Sequence, residues 1–304
     1  MRYEQYQVIL NAALIITCGC ARPTIQIAEP DPFTKTDDLS TNIVPLLRQL
    51  PNVVEVKHKV LSDKPTHRII HIADWHFVPK ADYAADLRSL STEPISDEEI
   101  ARHHAELLDE VELIQNQQIE LLRTLIQQHG LKRIHVEGLA EKEEFIFDAK
   151  VSALRKIGLE LVELRNEKEQ LLALGDPDVD TRKIIYGIEE IEAQHRSDLL
   201  QLGAAGRLLL NGEIEGVLPL DDADAHAASN PVSDDGLVAL DQEKIEARED
   251  AQVRLMLGNG PVAVIILGGA HDLSDNLERL SSAKAEYIRV EVKAWKEITA
   301  SNGK

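Results

Sequence analysis

A chain of 304 residues, 43% of them hydrophobic, can bury a sizeable core as one large α/β domain or two small ones. Its 53 acidic and 33 basic residues leave a net charge of −20, which repels nucleic acid and anionic membrane surfaces and excludes both as main partners. Aromatic residues make up only 4%, and both cysteines, Cys18 and Cys20, lie near the start, so the folded body has neither disulfides nor thiolate metal ligands.

The opening MRYEQYQVILNAALIITCGCARP carries Arg2 and an apolar run over residues 8–17. That run is too short to span a bilayer and suits the core of a signal peptide, so residues 1–20 are expected to direct export. Gly19 before Cys20 resembles a bacterial lipoprotein cleavage site, although Thr17 and Glu4 depart from that pattern. The expected location is the periplasm, or a membrane to which a lipidated Cys20 anchors the protein. The bland alternative is a buried N-terminal helix. Residues 21–50 open with ARPTIQIAEPDPFTKTDD and read as a linker, and residues 51–300 as a single α/β domain.

The first expected strand is His67–Asp74 (HRIIHIAD), followed by a loop with Pro79. Asp97–His129 reads as one long helix, capped by Asp97 and stopped by Gly130. A second strand covers residues 131–137, so strand, helix and strand predict a right-handed crossover and a parallel pair. Residues 147–174 and 181–202 flank GDPDVD and carry apolar positions every three or four residues. These include Val151, Leu154 and Leu161 in the first, and Ile184, Ile188 and Leu199 in the second. With charged opposite faces, they predict an antiparallel helical hairpin inserted at about 147–203. A short strand at 215–220 precedes the polar loop DDADAHAASNPVSDDG and a helix at 240–257. Residues 262–267 form the most hydrophobic strand, expected at the centre. A helix starts at 275, where Asp275 and Glu278 offer a capping box, and the last strand spans 287–292. The expected fold class is α/β: a mainly parallel central sheet flanked by helices, with an inserted long helical hairpin.

In such sheets, sites form outside the carboxyl ends of the strands. The first strand ends in Asp74 and His76, the second in Glu137, the third in Asp221, Asp222, Asp224 and His226, and the fourth in His271 and Asp272. His nitrogens with carboxylate oxygens suit a divalent transition metal such as Mn, Co, Zn or Fe. His76, His271 and Glu137 are the candidate ligands, with Glu137 also a candidate general base and Asp74 an accessory or orienting group. Gly268 and Gly269 would clear space for His271. Taken singly, Asp74 and Asp272 also read as turn or cap residues, His71 and His135 as core histidines, and His226 as solvated. A strand-end carboxylate facing a core without a partner would be costly, and that favours a site. On the long helix, His104 and Gln118 interrupt the apolar face of Leu107, Val111, Ile114, Leu122 and Leu125. Both are candidates for orienting a cofactor or substrate, although Gln118 could simply bond a backbone group. His195 interrupts the second hairpin helix in the same way and reads as packing.

Gly268-Gly269-Ala270-His271 resembles the Gly-x-x-His motif of the TraB/Tiki proteins and of the ChaN-like and erythromycin-esterase-like proteins. Ala73-Asp74-Trp75-His76 resembles a second copy with alanine in place of the glycine, and Glu137 in IHVEGL resembles the strand-end glutamate. Arg248 in AREDAQVRLML and the helix with QNQQIELL also fit. The resemblance covers roughly residues 66–140 and 240–292 and omits the helical hairpin. It implies an α/β fold with a metal or ligand site, and a function split between metal-dependent hydrolysis and haem binding.

Three functions compete. The first is an exported metal-dependent hydrolase of peptide or ester bonds, in which Arg248 holds a substrate carboxylate or a developing oxyanion. The second is a haem- or small-ligand-binding lipoprotein without catalysis, which would need an axial His or Tyr beside an apolar pocket. The third is an interaction protein whose helical hairpin pairs copies into a homo-oligomer.

Overall fold

The computed structural model describes residues 42–91, 93–229, 241–282 and 284–302. The expected signal peptide, Cys20 and most of the expected linker lie outside the described residues. The chain forms two compact units, one of residues 145–202 and one containing the remaining described residues. No helix among the described residues is long and apolar enough to cross a membrane.

The strands are β1 (Val53–Val60), β2 (His67–Asp74), β3 (Arg133–Ala140), β4 (Gly216–Asp221), β5 (Val262–Gly268) and β6 (Ala285–Val292). The helices are α1 (Val44–Gln49), α2 (Lys80–Leu90), α3 (Asp97–His129), α4 (Glu144–Ala173), α5 (Val179–Leu210), α6 (Ala223–Ala228), α7 (Gln242–Gly258), α8 (Ser274–Leu280) and α9 (Lys293–Asn302).

The larger unit is an α/β body around one six-stranded sheet in the order β1-β6-β2-β5-β3-β4. Neighbouring strands run parallel except at the edge, where β1 is antiparallel to β6. Every residue of VAVIILG in β5 is buried, as a central strand covered on both faces requires. Ile69, Ile265, Leu267 and Tyr287 on one sheet face pack with Val253 and Met256 of α7 and with Leu273 and Leu277 at α8. The alternating residues Ile70, Ile72, Val264 and Ile266 face the opposite side, which α3 and α9 cover.

Several local expectations are corrected. β2 and β3 are parallel but not adjacent, because the more continuously apolar β5 lies between them. Helix α1 falls within the expected linker: proline in its first turn presets the helical φ, and Val44 and Leu47 are buried. Helix α2 replaces the expected loop, with Pro79 at its N-cap. Ser96, not Asp97, caps α3 by accepting from Glu99 N–H at 3.2 Å. The Asp275–Glu278 capping box does not form: α8 begins one residue earlier, and its N-cap position, Leu273, supplies no side-chain cap. Asp272 accepts from Ser274 N–H at 3.1 Å and acts as a turn residue.

The smaller unit is the helical hairpin, with Val151, Leu154 and Leu161 of α4 and Ile185, Ile188, Leu200 and Leu202 of α5 buried. Ile184 is 48% exposed and Ile185 takes its expected place. The α5 helix is broken at Gly203 (φ 70°, ψ 179°), so the helix expected to end at 202 stops there and a further helical stretch continues to Leu210.

Candidate functional site

β2, β5 and β3 are consecutive in the sheet, so the residues that follow their carboxyl ends fall side by side. Glu137 stands where the ladder between β3 and β5 runs out. His135 and Val136 pair with Ile265 and Ile266, and the register toward β4 becomes irregular between Val136 and Ala140. Gly138 adopts φ +79°, the left-handed conformation that a bulge needs and that glycine takes without strain. Its N–H donates to Asp221 Oδ2 at 2.7 Å. The Glu137 side chain then takes up the missing rung, accepting from Gly268 N–H at 2.8 Å through Oε2. Its Oε1 accepts from Arg248 Nη2 at 3.0 Å.

Two imidazoles face this carboxylate. His76 Nε2 is 3.5 Å from Glu137 Oε2, and His271 Nε2 is 3.7 Å from Oε1. His271 Nδ1 is 2.6 Å from Glu249 Oε1. An ionised carboxylate only accepts, so Nδ1 carries the proton and Nε2 is turned toward Glu137. Burial opposes charge on His271, but the bond to Glu249 and the field of Glu137 outweigh it and raise its pKa above the ordinary value. The His76 side chain is 58% exposed, against 16% for His271 and 14% for Glu137.

Arg248 is committed behind them. Its Nε donates to Asp221 Oδ1 at 2.7 Å and its Nη2 to Asp221 Oδ2 at 3.0 Å. Burial pushes the Asp221 carboxyl up, but Arg248, Gly138 N–H and Gln252 more than offset this and hold it below the usual range. Asp74 differs: burial pushes its carboxyl up despite a 2.8 Å bond from Gln118 Nε2 to Oδ1. The Asp74 carbonyl accepts twice, from Gly269 N–H at 3.0 Å and from Trp295 Nε1–H at 2.9 Å.

The glycines have separate reasons to be there. A Cβ at Gly268 would stand 2.5 Å from His76 Nε2 and 3.4 Å from His271 Cδ2. One at Gly269 would fall inside the Trp295 indole. Arg289 braces the same turn, donating to Gly269 O at 2.5 Å and His271 O at 2.7 Å while lying 5.7 Å from the Trp295 ring centroid. A cavity of about 310 Å³ adjoins His76 and His271 and is walled by Trp75, Gly268, Gly269 and Trp295.

The structure thus gathers His76, Glu137, His271, Arg248, Asp74 and Gln118. It does not bring His104 to them: His104 Nε2 lies 3.0 Å from Val78 O, and its ring is 5.6 Å from that of Tyr83. The unexpected α2 supplies Tyr83, and the turn before it the Val78 carbonyl, so His104 satisfies itself there. Asp222 caps α6 by accepting from Ala225 N–H at 2.9 Å, and Asp224 is exposed. His71 and His135 are core histidines. His71 Nε2–H donates to Leu267 O at 3.1 Å and its Nδ1 accepts from Tyr287 at 2.6 Å, while His135 Nδ1–H donates to Pro219 O at 2.8 Å. Glu249, Arg289 and Trp295 were not singled out from the sequence. The usable signals were an acidic residue beside Arg248 and the rarity of tryptophan.

Among the described residues no three His, Cys, Asp or Glu side chains form a ready-made ion-binding group. The donor chemistry is nevertheless that of a His₂–carboxylate set with a carboxylate behind one histidine. The 3.5 and 3.7 Å separations are close to the roughly 3.4 Å between neighbouring ligands of a tetrahedral ion. Comparison with known proteins adds nothing to this geometry: no protein-family model, no curated protein and no solved structure matches the chain.

Proposed function

We propose that the protein is an exported, metal-dependent hydrolase of peptide or ester bonds. His76, His271 and Glu137 would hold a divalent transition ion, Mn, Co, Zn or Fe. The observation that carries this reading is the approach of two imidazole Nε2 atoms to one half-buried carboxylate, with His271 fixed from behind by Glu249. The resemblance of these motifs to those of the TraB/Tiki and ChaN-like proteins fits this reading and the haem-binding alternative alike.

A bound ion of this kind would act as a Lewis acid and bring the pKa of a water toward neutrality. The chain's own groups do the remainder. Glu249 fixes the His271 tautomer. Arg248 holds Glu137 in place through its Oε1, so the role expected for it toward a substrate carboxylate or oxyanion passes to positioning. Asp74 lies on the cavity wall with its proton affinity raised by burial, and Gln118 fixes its orientation, so it can take or return a proton there.

One observation favours a second reading. Both Glu137 oxygens already accept hydrogen bonds, and a histidine backed by a carboxylate is a competent general base without an ion.

The deciding experiment is elemental analysis of the protein from Cys20 onward, purified without chelators, for wild type and His271→Ala, with a peptide and ester screen alongside. About one metal equivalent in wild type and none in the variant is the expected result. Full hydrolysis by metal-free protein would overturn the metal and leave the general-base reading. With neither metal nor hydrolysis, a Soret band on adding haem that is lost in His76→Ala would install the haem-binding alternative.

A further inference from the structure

We infer that the group seated beside the reacting bond is uncharged and apolar, an aromatic ring or a short branched alkyl chain carried on an amide or ester. That the ligand is a substrate rests on the hydrolase reading; that it binds here is argued from the cavity alone.

The chain has two tryptophans in 304 residues, and both wall the cavity against His76 and His271. Trp75 comes directly from the end of β2. Trp295 arrives from α9 and is 8% exposed, in a seat built for it. Its indole N–H is used on the Asp74 carbonyl, the missing Cβ of Gly269 admits its ring, and Arg289 lies beside the ring. With the polar edge engaged, what Trp295 presents to the cavity is hydrocarbon.

Charge points the same way. None of the lining residues is Lys or Arg. The nearby guanidinium groups are engaged, Arg248 with Asp221 and Glu137, Arg289 with the Gly269 and His271 carbonyls. A carboxylate or phosphate entering the cavity would meet no lysine or arginine on its walls and would find the Asp74 carboxyl among them. The volume of about 310 Å³ gives room for a small group. At roughly 30 Å³ per water-sized unit, it admits about ten heavy atoms, enough for a benzyl or isobutyl group with its amide.

The test uses the full protein and its own tryptophans as reporter, exciting at the red edge, where tyrosine does not absorb. Phenylacetamide and isovaleramide are titrated beside acetamide, phenylacetate and benzyltrimethylammonium. The first two are expected to change the emission saturably, with phenylacetamide binding at least roughly tenfold more tightly than acetamide, as burial of a ring implies. Thr299→Phe, which projects a ring into the cavity from α9, is expected to weaken phenylacetamide binding at least roughly tenfold while the thermal midpoint stays unaltered. His271→Ala is expected to retain that binding. Tighter binding of phenylacetate, tighter binding of benzyltrimethylammonium, or no response to phenylacetamide would each overturn the inference. Saturable phenylacetamide binding by a protein that carries no metal and hydrolyses nothing would retire the hydrolase and leave the apolar seat standing.

Discussion

Gly268 and Gly269 are adjacent and identical, yet each clears a different neighbour. A methyl at 268 meets the exposed His76 ring, which can swing away into solvent; a methyl at 269 meets an indole buried and pinned by its N–H. If the proposed metal site holds, Gly268→Ala is therefore expected to lower metal content and any hydrolysis while moving the thermal midpoint little. Gly269→Ala is expected to lower stability by about 1–3 kcal/mol through overpacking, read by denaturant titration. Glu249 offers a second test at this scale. The pKa of His271 is raised in the fold, so the stability it gains from Glu249 is present below the ordinary histidine value and fades as pH rises through the higher folded value. Glu249→Gln is expected to move the His271 titration, followed by NMR of its ring protons, to lower pH. His76, Glu137 and His271 were legible from sequence because sites form where the carboxyl ends of parallel strands converge, and each of these strands ends in a histidine or a carboxylate. Glu249, Trp295 and Arg289 were not, because their parts depend on which helix meets which turn.

Elements were readable in proportion to how plainly they are buried. The unbroken apolar run of β5 declares a central strand, and the apolar stripe of α3 declares a long helix. β1 was invisible because an edge strand half in solvent carries Glu55, Lys57, His58 and Lys59, the charges that discourage a further strand from adding there. His104 misled because a polar residue on an apolar face needs only one nearby carbonyl, and α2, itself poor in apolar signal, brought one. His71 on β2 and His135 on β3 carry a prediction. Burial lowers their pKa values to about 3 and about 4, so the native sheet stays uncharged there while the unfolded chain takes up protons near 6.5. Stability is therefore expected to fall as pH drops below 6.5, by up to about 1.4 kcal/mol per pH unit for each histidine. Urea titrations at neutral and mildly acidic pH check this, and His135→Phe is expected to flatten the dependence. Gly203, with φ +70°, ψ 179° and nothing near its absent Cβ, isolates backbone strain: Gly203→Ala is expected to cost about 1–3 kcal/mol with no clash to relieve.

For the molecule as a whole, α/β order could be read because apolar strands alternate with long amphipathic helices, and that pattern admits few architectures. The order of strands in the sheet could not, since nothing local says that β5 inserts between β2 and β3. A net charge of −20 leaves the folded protein repelling itself. Its thermal midpoint is therefore expected to rise as salt is increased from a few millimolar to physiological strength, where the Debye length is about 8 Å. A midpoint that stayed level or fell would show that local ion pairs outweigh the overall repulsion.

Glu137 is a rung of the sheet as well as a member of the site, and that bears on how such a protein would change over generations. A lineage that lost the proposed chemistry would still be held to glutamate at 137, because losing it unpairs Gly268 N–H and removes one of the two carboxylates that Arg248 engages. His76, exposed and facing only Glu137 among the ion pairs of the described residues, carries no such structural duty and would drift first. Among descendants of this chain, a retained Glu137 would mark an intact fold, and only a retained His76 would speak for the proposed site.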